Sequence, residues 1–138
     1  MRLSNFADYA VVMMSAAARH EPGVRISAAQ LAKETGLPTP TVQKLTGKLV
    51  AAGLLQSLRG ASGGLYLARP AATITLAEIV EAVEGPIALT SCVEQGRHDC
   101  ALEDSCAMRP HWDAVNTALR GVLAEVPLTR LAEMESTA

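Results

Sequence analysis

The chain has 138 residues, enough for one hydrophobic core but not for two independent ones. Apolar residues make up 49% of it while the aromatics are only Phe6, Tyr9, Tyr66 and Trp112, so the interior must be built from Ala, Leu, Val, Ile and Met at helical spacing, which favours a mainly helical protein. The net charge of −2 hides an asymmetry: residues 1–70 carry eight Lys or Arg against three Asp or Glu, and residues 71–138 carry four against eleven, which suggests a basic face for a polyanion in the first half and an acidic half kept away from it.

Residues 4–19 predict a first helix with Phe6, Tyr9, Ala10, Met13, Met14 and Ala17 on one face. Its apolar run, Ala10 to Ala18, is too short to cross a bilayer and has only Arg2 as a positive flank, so it reads as a buried helix in a cytoplasmic protein with no membrane partner. After the Pro22-Gly23 turn, Ser27-Ala28-Ala29-Gln30 has the spacing of a capping box and opens a second helix running to Thr35. Gly36 supplies the turn, and Thr39-Pro40 opens a third helix with Val42, Leu45 and Leu49 inward and Gly53 as its stop.

Two short strands, Leu54 to Leu58 and Leu65 to Leu67, then flank the glycine-rich hairpin from Arg59 to Gly64. Helix, turn, helix and basic hairpin is the order of a winged helix-turn-helix. A second capping box at Thr75 to Glu78 starts a helix lined by Leu76, Ile79, Val80 and Val83 and closed by Gly85-Pro86. Residues 90–108 lack periodicity. A longer helix resumes near Pro110 with Trp112, Val115, Leu119 and Val122 on one stripe, and Pro127 separates it from a last short segment. That stripe needs a cover, and a second copy of the chain is the economical one. The organisation expected is a DNA-binding region over 1–70 and a cysteine loop with a dimerisation helix over 71–138, in one compact unit.

The start of the third helix is the part that would enter a major groove, and it offers Thr39, Thr41, Gln43, Lys44 and, one turn later, Lys48. Gln43 can pair with adenine, the lysines with guanine or phosphate, and the threonines with phosphate or a thymine methyl. Arg59 on the hairpin can enter a narrow minor groove. Ser62 shares that hairpin, and Gly63 and Gly64 would let the backbone approach closely or simply make a tight turn. No nucleophile, base and acid constellation or nucleotide loop is present, so an enzyme with a small-molecule substrate is not expected.

The cysteines read Cys92-x7-Cys100-x5-Cys106, gaps too long for a zinc knuckle and unlike ferredoxin spacing. Three cysteines cannot all pair, and the polar neighbours from Glu94 to Asp104 argue against small buried hydrophobes. Three thiolates on one irregular loop can still wrap a cluster.

The opening Met1-Arg2-Leu3-Ser4 with Asp8-Tyr9-Ala10, the helix-turn-helix, the wing Arg59 to Leu67, the stretch Ile79 to Gly85 and the three-cysteine loop followed by Trp112 together resemble the IscR-like iron–sulfur regulators. Glu84 to Leu89 and Arg109 to Trp112 are most similar to the branch regulating the SUF iron–sulfur assembly operon. The resemblance implies a homodimeric repressor of double-stranded operator DNA whose [2Fe–2S] or [4Fe–4S] cluster, held by Cys92, Cys100 and Cys106, changes its affinity. A nitric-oxide-sensing repressor and a cluster-free relative are the alternatives. Where IscR-type members place a histidine as fourth ligand this chain has Arg109, which has no lone pair to give. Nitric-oxide-sensing relatives use an aspartate in the first helix, which Asp8 matches. His98 and His111 are the other candidates.

Overall fold

The computed structural model describes residues 2–58 and 63–133. Helix α1 (Asn5–Ala18) starts where Ser4, in an extended conformation, accepts the Ala7 N–H on its hydroxyl at 3.1 Å. Its buried stripe is Ala7, Ala10, Met14 and Ala17, with Met13 beside it, and the small alanines let the later helices Ala28–Thr35, Thr39–Ala51, Leu76–Glu84 and Leu128–Leu131 all pack against this one. Phe6, expected on the inward face, is 36% exposed, because the stripe is phased one residue later, on Ala7.

Helix α2 (Ala28–Thr35) is capped by Ser27, whose hydroxyl accepts the Gln30 N–H at 3.0 Å. The reciprocal half of the expected capping box is not made. The Gln30 amide turns forward along the helix to Glu34 at 3.2 Å, a carboxylate that is also held by His20 Nε2 at 2.9 Å. Helix α3 (Thr39–Ala51) begins one residue before expectation, with Pro38 as N-cap, so Pro40 sits second in the helix, still within the turn that needs no N–H. It ends as predicted at Gly53, which has φ 77°. The Gly53 N–H reaches the Val50 carbonyl at 3.0 Å and the Leu54 N–H the Leu49 carbonyl at 2.9 Å, a Schellman closure.

Strands β1 (Leu55–Leu58) and β2 (Gly64–Leu67) pair antiparallel with Leu55 opposite Leu67 and Leu58 opposite Gly64. A connection invisible in the sequence pattern ties this hairpin down. Ile26 and Leu65 exchange both backbone hydrogen bonds, at 2.9 and 2.8 Å, just before the α2 cap. The observed fold is the expected winged helix-turn-helix.

Helix α4 (Leu76–Glu84) carries the complete capping box: the Thr75 hydroxyl accepts the Glu78 N–H at 3.2 Å and the Glu78 carboxylate accepts the Thr75 N–H at 3.0 Å. Helix α5 (Arg109–Ala124) packs on α4. Its apolar stripe is not buried within the chain, with Val115 46% and Val122 62% exposed and Trp112 and Leu119 half-buried. The chain then returns to the core: Leu76 N–H bonds the Val126 carbonyl at 2.9 Å, Leu128 N–H bonds the Ile74 carbonyl at 2.8 Å, and Leu128 of α6 (Leu128–Leu131) is fully buried. Burial on that scale stabilises by about 1.5–3 kcal/mol per large apolar side chain. Among the described residues, no helix is long and apolar enough to cross a membrane.

Candidate nucleic-acid interface and cysteine loop

Gly36, with φ 77°, turns α2 into α3, and the Thr35 hydroxyl stiffens the turn by donating to the Leu31 carbonyl at 2.6 Å and accepting the Leu37 N–H at 3.2 Å. Since Val42, Leu45 and Leu49 point inward and are fully buried, Thr39, Gln43, Lys44 and Lys48 face outward and are exposed, with Thr41 half-buried. A concavity of about 340 Å³ joins this face to the wing, lined among others by Ser27, Gln43, Thr46, Ser57 and Gly63. Arg59 and Ser62 lie outside the described residues. The missing side chain of Gly64 is used internally, since a Cβ there would stand 3.2 Å from both Arg25 Cβ and the Ile26 carbonyl oxygen.

One participant was missed in the sequence. Lys44 Nζ lies 4.7 Å from the centre of the Phe6 ring, a cation–π contact that joins the first turn of α1 to the outward face of α3. An exposed aromatic at a helix start was the available signal, but apolar periodicity assigned it to the core.

Behind this face, Arg69 forks the Glu78 carboxylate with both contacts at 3.0 Å, and that hydrogen bond, working against burial, holds the carboxyl below its ordinary range. Burial pushes Glu81 up, but the fork from Arg120, closest at 2.7 Å, and the Ile87 N–H at 2.9 Å outweigh it and leave this carboxyl lowered too. Asn116, 4% exposed on α5, reaches the same stretch of chain, accepting the Leu89 N–H at 2.6 Å and donating to the Ile87 carbonyl at 2.9 Å.

The cysteines follow at once. Cys92 is 7% exposed, with its Sγ 3.2 Å from the Thr90 hydroxyl, whereas Cys100 is exposed and Cys106 half-buried. The turn holding Cys92 is closed by the His98 N–H on the Ser91 carbonyl at 2.8 Å, and it is so tight at Gly96 that a Cβ would lie 2.3 Å from the Ser91 carbonyl oxygen. Both ring nitrogens of His98 face acceptors, Nδ1 the Glu103 carboxylate at 2.6 Å and Nε2 the Glu94 carbonyl at 3.3 Å, and the Glu103 contact foremost raises its pKa. Asp8 is exposed in the first turn of α1 and His111 is exposed in the first turn of α5.

Three thiols in one irregular stretch are soft donors of the kind an iron–sulfur cluster takes. Among the described residues of the single chain, however, no three His, Cys, Asp or Glu side chains are gathered as a metal site.

The family model described as Rrf2, iron-dependent transcriptional regulator, matches residues 3–134. The protein aau3 of Rhizobium meliloti is 38% identical over 124 residues, covering 89% of this chain and 75% of that one. An HTH-type transcriptional regulator, IscR of Photorhabdus laumondii, is 30% identical over 131 residues, covering 95% of this chain and 79% of its own. Among solved structures, CymR, the global cysteine regulator of B. subtilis, superposes with a TM-score of 0.74 at 28% identity over 96% of both chains. IscR of T. potens gives 0.74 at 27% identity over all of this chain and 93% of that one. The regulators among these are transcription factors rather than enzymes.

Proposed function

The chain belongs to the Rrf2 family of transcriptional regulators, and from that premise we propose that it is a homodimeric, DNA-binding repressor whose affinity for its operator answers to an iron–sulfur cluster on the cysteine loop. The observation that carries this reading is that α4 packs against both α3, which presents the basic face, and α5, which follows the cysteines. On the DNA side, Thr39, Thr41, Gln43, Lys44 and Lys48 would meet the major groove, with Arg59, Ser62, Gly63 and Gly64 at the wing. The exposed stripe of α5 supports pairing with a second copy, which sets the half-site spacing.

Cys92, Cys100 and Cys106 would hold the cluster as thiolates, and the cluster, when bound, supplies a rigid core that fixes the three in one arrangement. Asp8 of the partner subunit is our choice for the fourth ligand, because both nitrogens of His98 are already engaged; His111 ranks third. The resemblance to SUF regulators makes iron–sulfur assembly genes the regulated set proposed here. A cluster-free Rrf2 regulator is the second reading, favoured by the scattered thiols of the single chain.

The test is iron and sulfide per chain after anaerobic purification, with Mössbauer spectra for nuclearity. Each Cys→Ser variant should lose most of its iron and keep its circular dichroism. Unchanged iron in all three variants ends the cluster reading, and an iron-free wild type establishes the second.

A further inference from the structure

The stretch Ile87 to Leu89 leads straight into the cysteine turn, and it is gripped through its backbone by two side chains from two helices. The Asn116 amide donates to the Ile87 carbonyl at 2.9 Å and accepts the Leu89 N–H at 2.6 Å. That is the pattern by which one residue of a neighbouring parallel strand, through its own N–H and C=O, would bond the residues on either side of Ala88. Glu81 accepts the Ile87 N–H at 2.9 Å and is itself fixed by Arg120, so α4, α5 and this strap share one bonded cluster. Asn116 is one of only two buried polar side chains among the described residues, the other being Ser15. A carboxylate there could accept but not donate, and an aliphatic residue could do neither.

We infer that Asn116 is the positioning residue of the sensing loop: it holds the strap that enters Cys92 in register on the α4–α5 pair, so that a displacement of the cysteine loop is passed to α4 and from α4 to α3. The grip on the strap stands by itself. Its regulatory meaning rests on the sensing role proposed above for the loop. The contacts are ordered for this purpose, since Cys92 lies three residues beyond Leu89 and α4 packs against α3.

The experiment uses the full chain in two arms. In the first, reduced and metal-free protein is alkylated with iodoacetamide and the rate at Cys92 is read by peptide mass spectrometry against exposed Cys100. Asn116→Ala should raise the Cys92 rate about tenfold relative to Cys100, the order expected when two buried hydrogen bonds that restrain local opening are lost. Asn116→Asp, which keeps the acceptor for Leu89 and loses the donor to Ile87, should fall between. In the second arm, the ratio of operator affinities with and without bound iron and sulfide is measured, and it should move toward one in both variants.

An unchanged Cys92 rate in a folded Asn116→Ala protein overturns the inference. Faster labelling with an unchanged affinity ratio overturns the transmission to α3. If Asn116→Ala fails to fold, Asn116→Asp and Glu81→Gln carry the same readouts. An iron-free wild type would retire the cluster reading while the alkylation arm still decides whether Asn116 positions the loop.

Discussion

Val122 is the residue on which the α5 dimer can be tested most sharply. It is 62% exposed in the chain and lies on the stripe with Trp112, Val115 and Leu119. Full burial of a valine contributes about 1.5 kcal/mol at the low end, so covering the exposed part contributes roughly 1 kcal/mol. A two-fold interface presents each residue twice, which makes about 2 kcal/mol per dimer, or roughly thirtyfold in the dissociation constant. Val122→Ala should therefore loosen the dimer by about that factor. Val122→Asp should abolish it across the micromolar range, because it also places two unpaired carboxylates in the interface. Sedimentation velocity of the reduced, metal-free protein over a concentration series measures both. Thr117→Ala, exposed on the same helix but off the stripe, serves as control. Wild-type dimerisation by Val122→Asp, or equal weakening by Thr117→Ala, would refute the assignment of this face.

Four further outcomes are expected. Lys44→Ala and Lys48→Ala should each reduce the salt slope of operator binding by about one unit, read by titrating a labelled duplex selected from a random pool. Phe6→Leu should weaken binding a few-fold by removing the ring beneath Lys44, an effect worth about 0.5–1 kcal/mol. Because the Glu78 carboxyl is depressed below its ordinary value of 4.5 by Arg69, its contribution to stability is complete above that pH and is lost as the pH falls through its lowered value; Glu78→Gln should flatten that acid limb in urea titrations. Gly96→Ala should open the Cys92 turn, since the added methyl would meet backbone rather than a movable side chain, and faster alkylation of Cys92 is the check.

What was legible in the sequence was the part written in local chemistry. Ser27, Gly36, Gly53 and Thr75 mark helix ends through bonds that span a few residues, and the wing follows from strand residues around glycines, so the order of elements came through. What depends on distant partners did not. Phe6 has the periodicity of a core residue, yet the buried stripe is phased on Ala7, and the lysine that meets its exposed ring comes from α3. Asn116 looks like an ordinary polar position on a helix until the Ile87 to Leu89 strap comes to lie against it. The site residues share this division: the phase of α3 turns Gln43, Lys44 and Lys48 outward opposite the buried Val42, Leu45 and Leu49, whereas no spacing rule says that Cys92 is buried and Cys100 exposed.

The exchange of hydrogen bonds between Ile26 and Leu65 has a mechanical consequence. Residue 26 is immediately followed by the cap of α2, so the strand that carries the wing and the helix pair that carries the basic face are riveted to the same short stretch of backbone. Tilting one away from the other would break this pair of backbone hydrogen bonds. Strand β2 and the start of α2 are thereby held at a set spacing within the chain, like the two arms of a caliper joined at one pin. In the homodimer proposed above, the distance and twist between the two copies are set at α5, outside the segment that this bond pair stiffens.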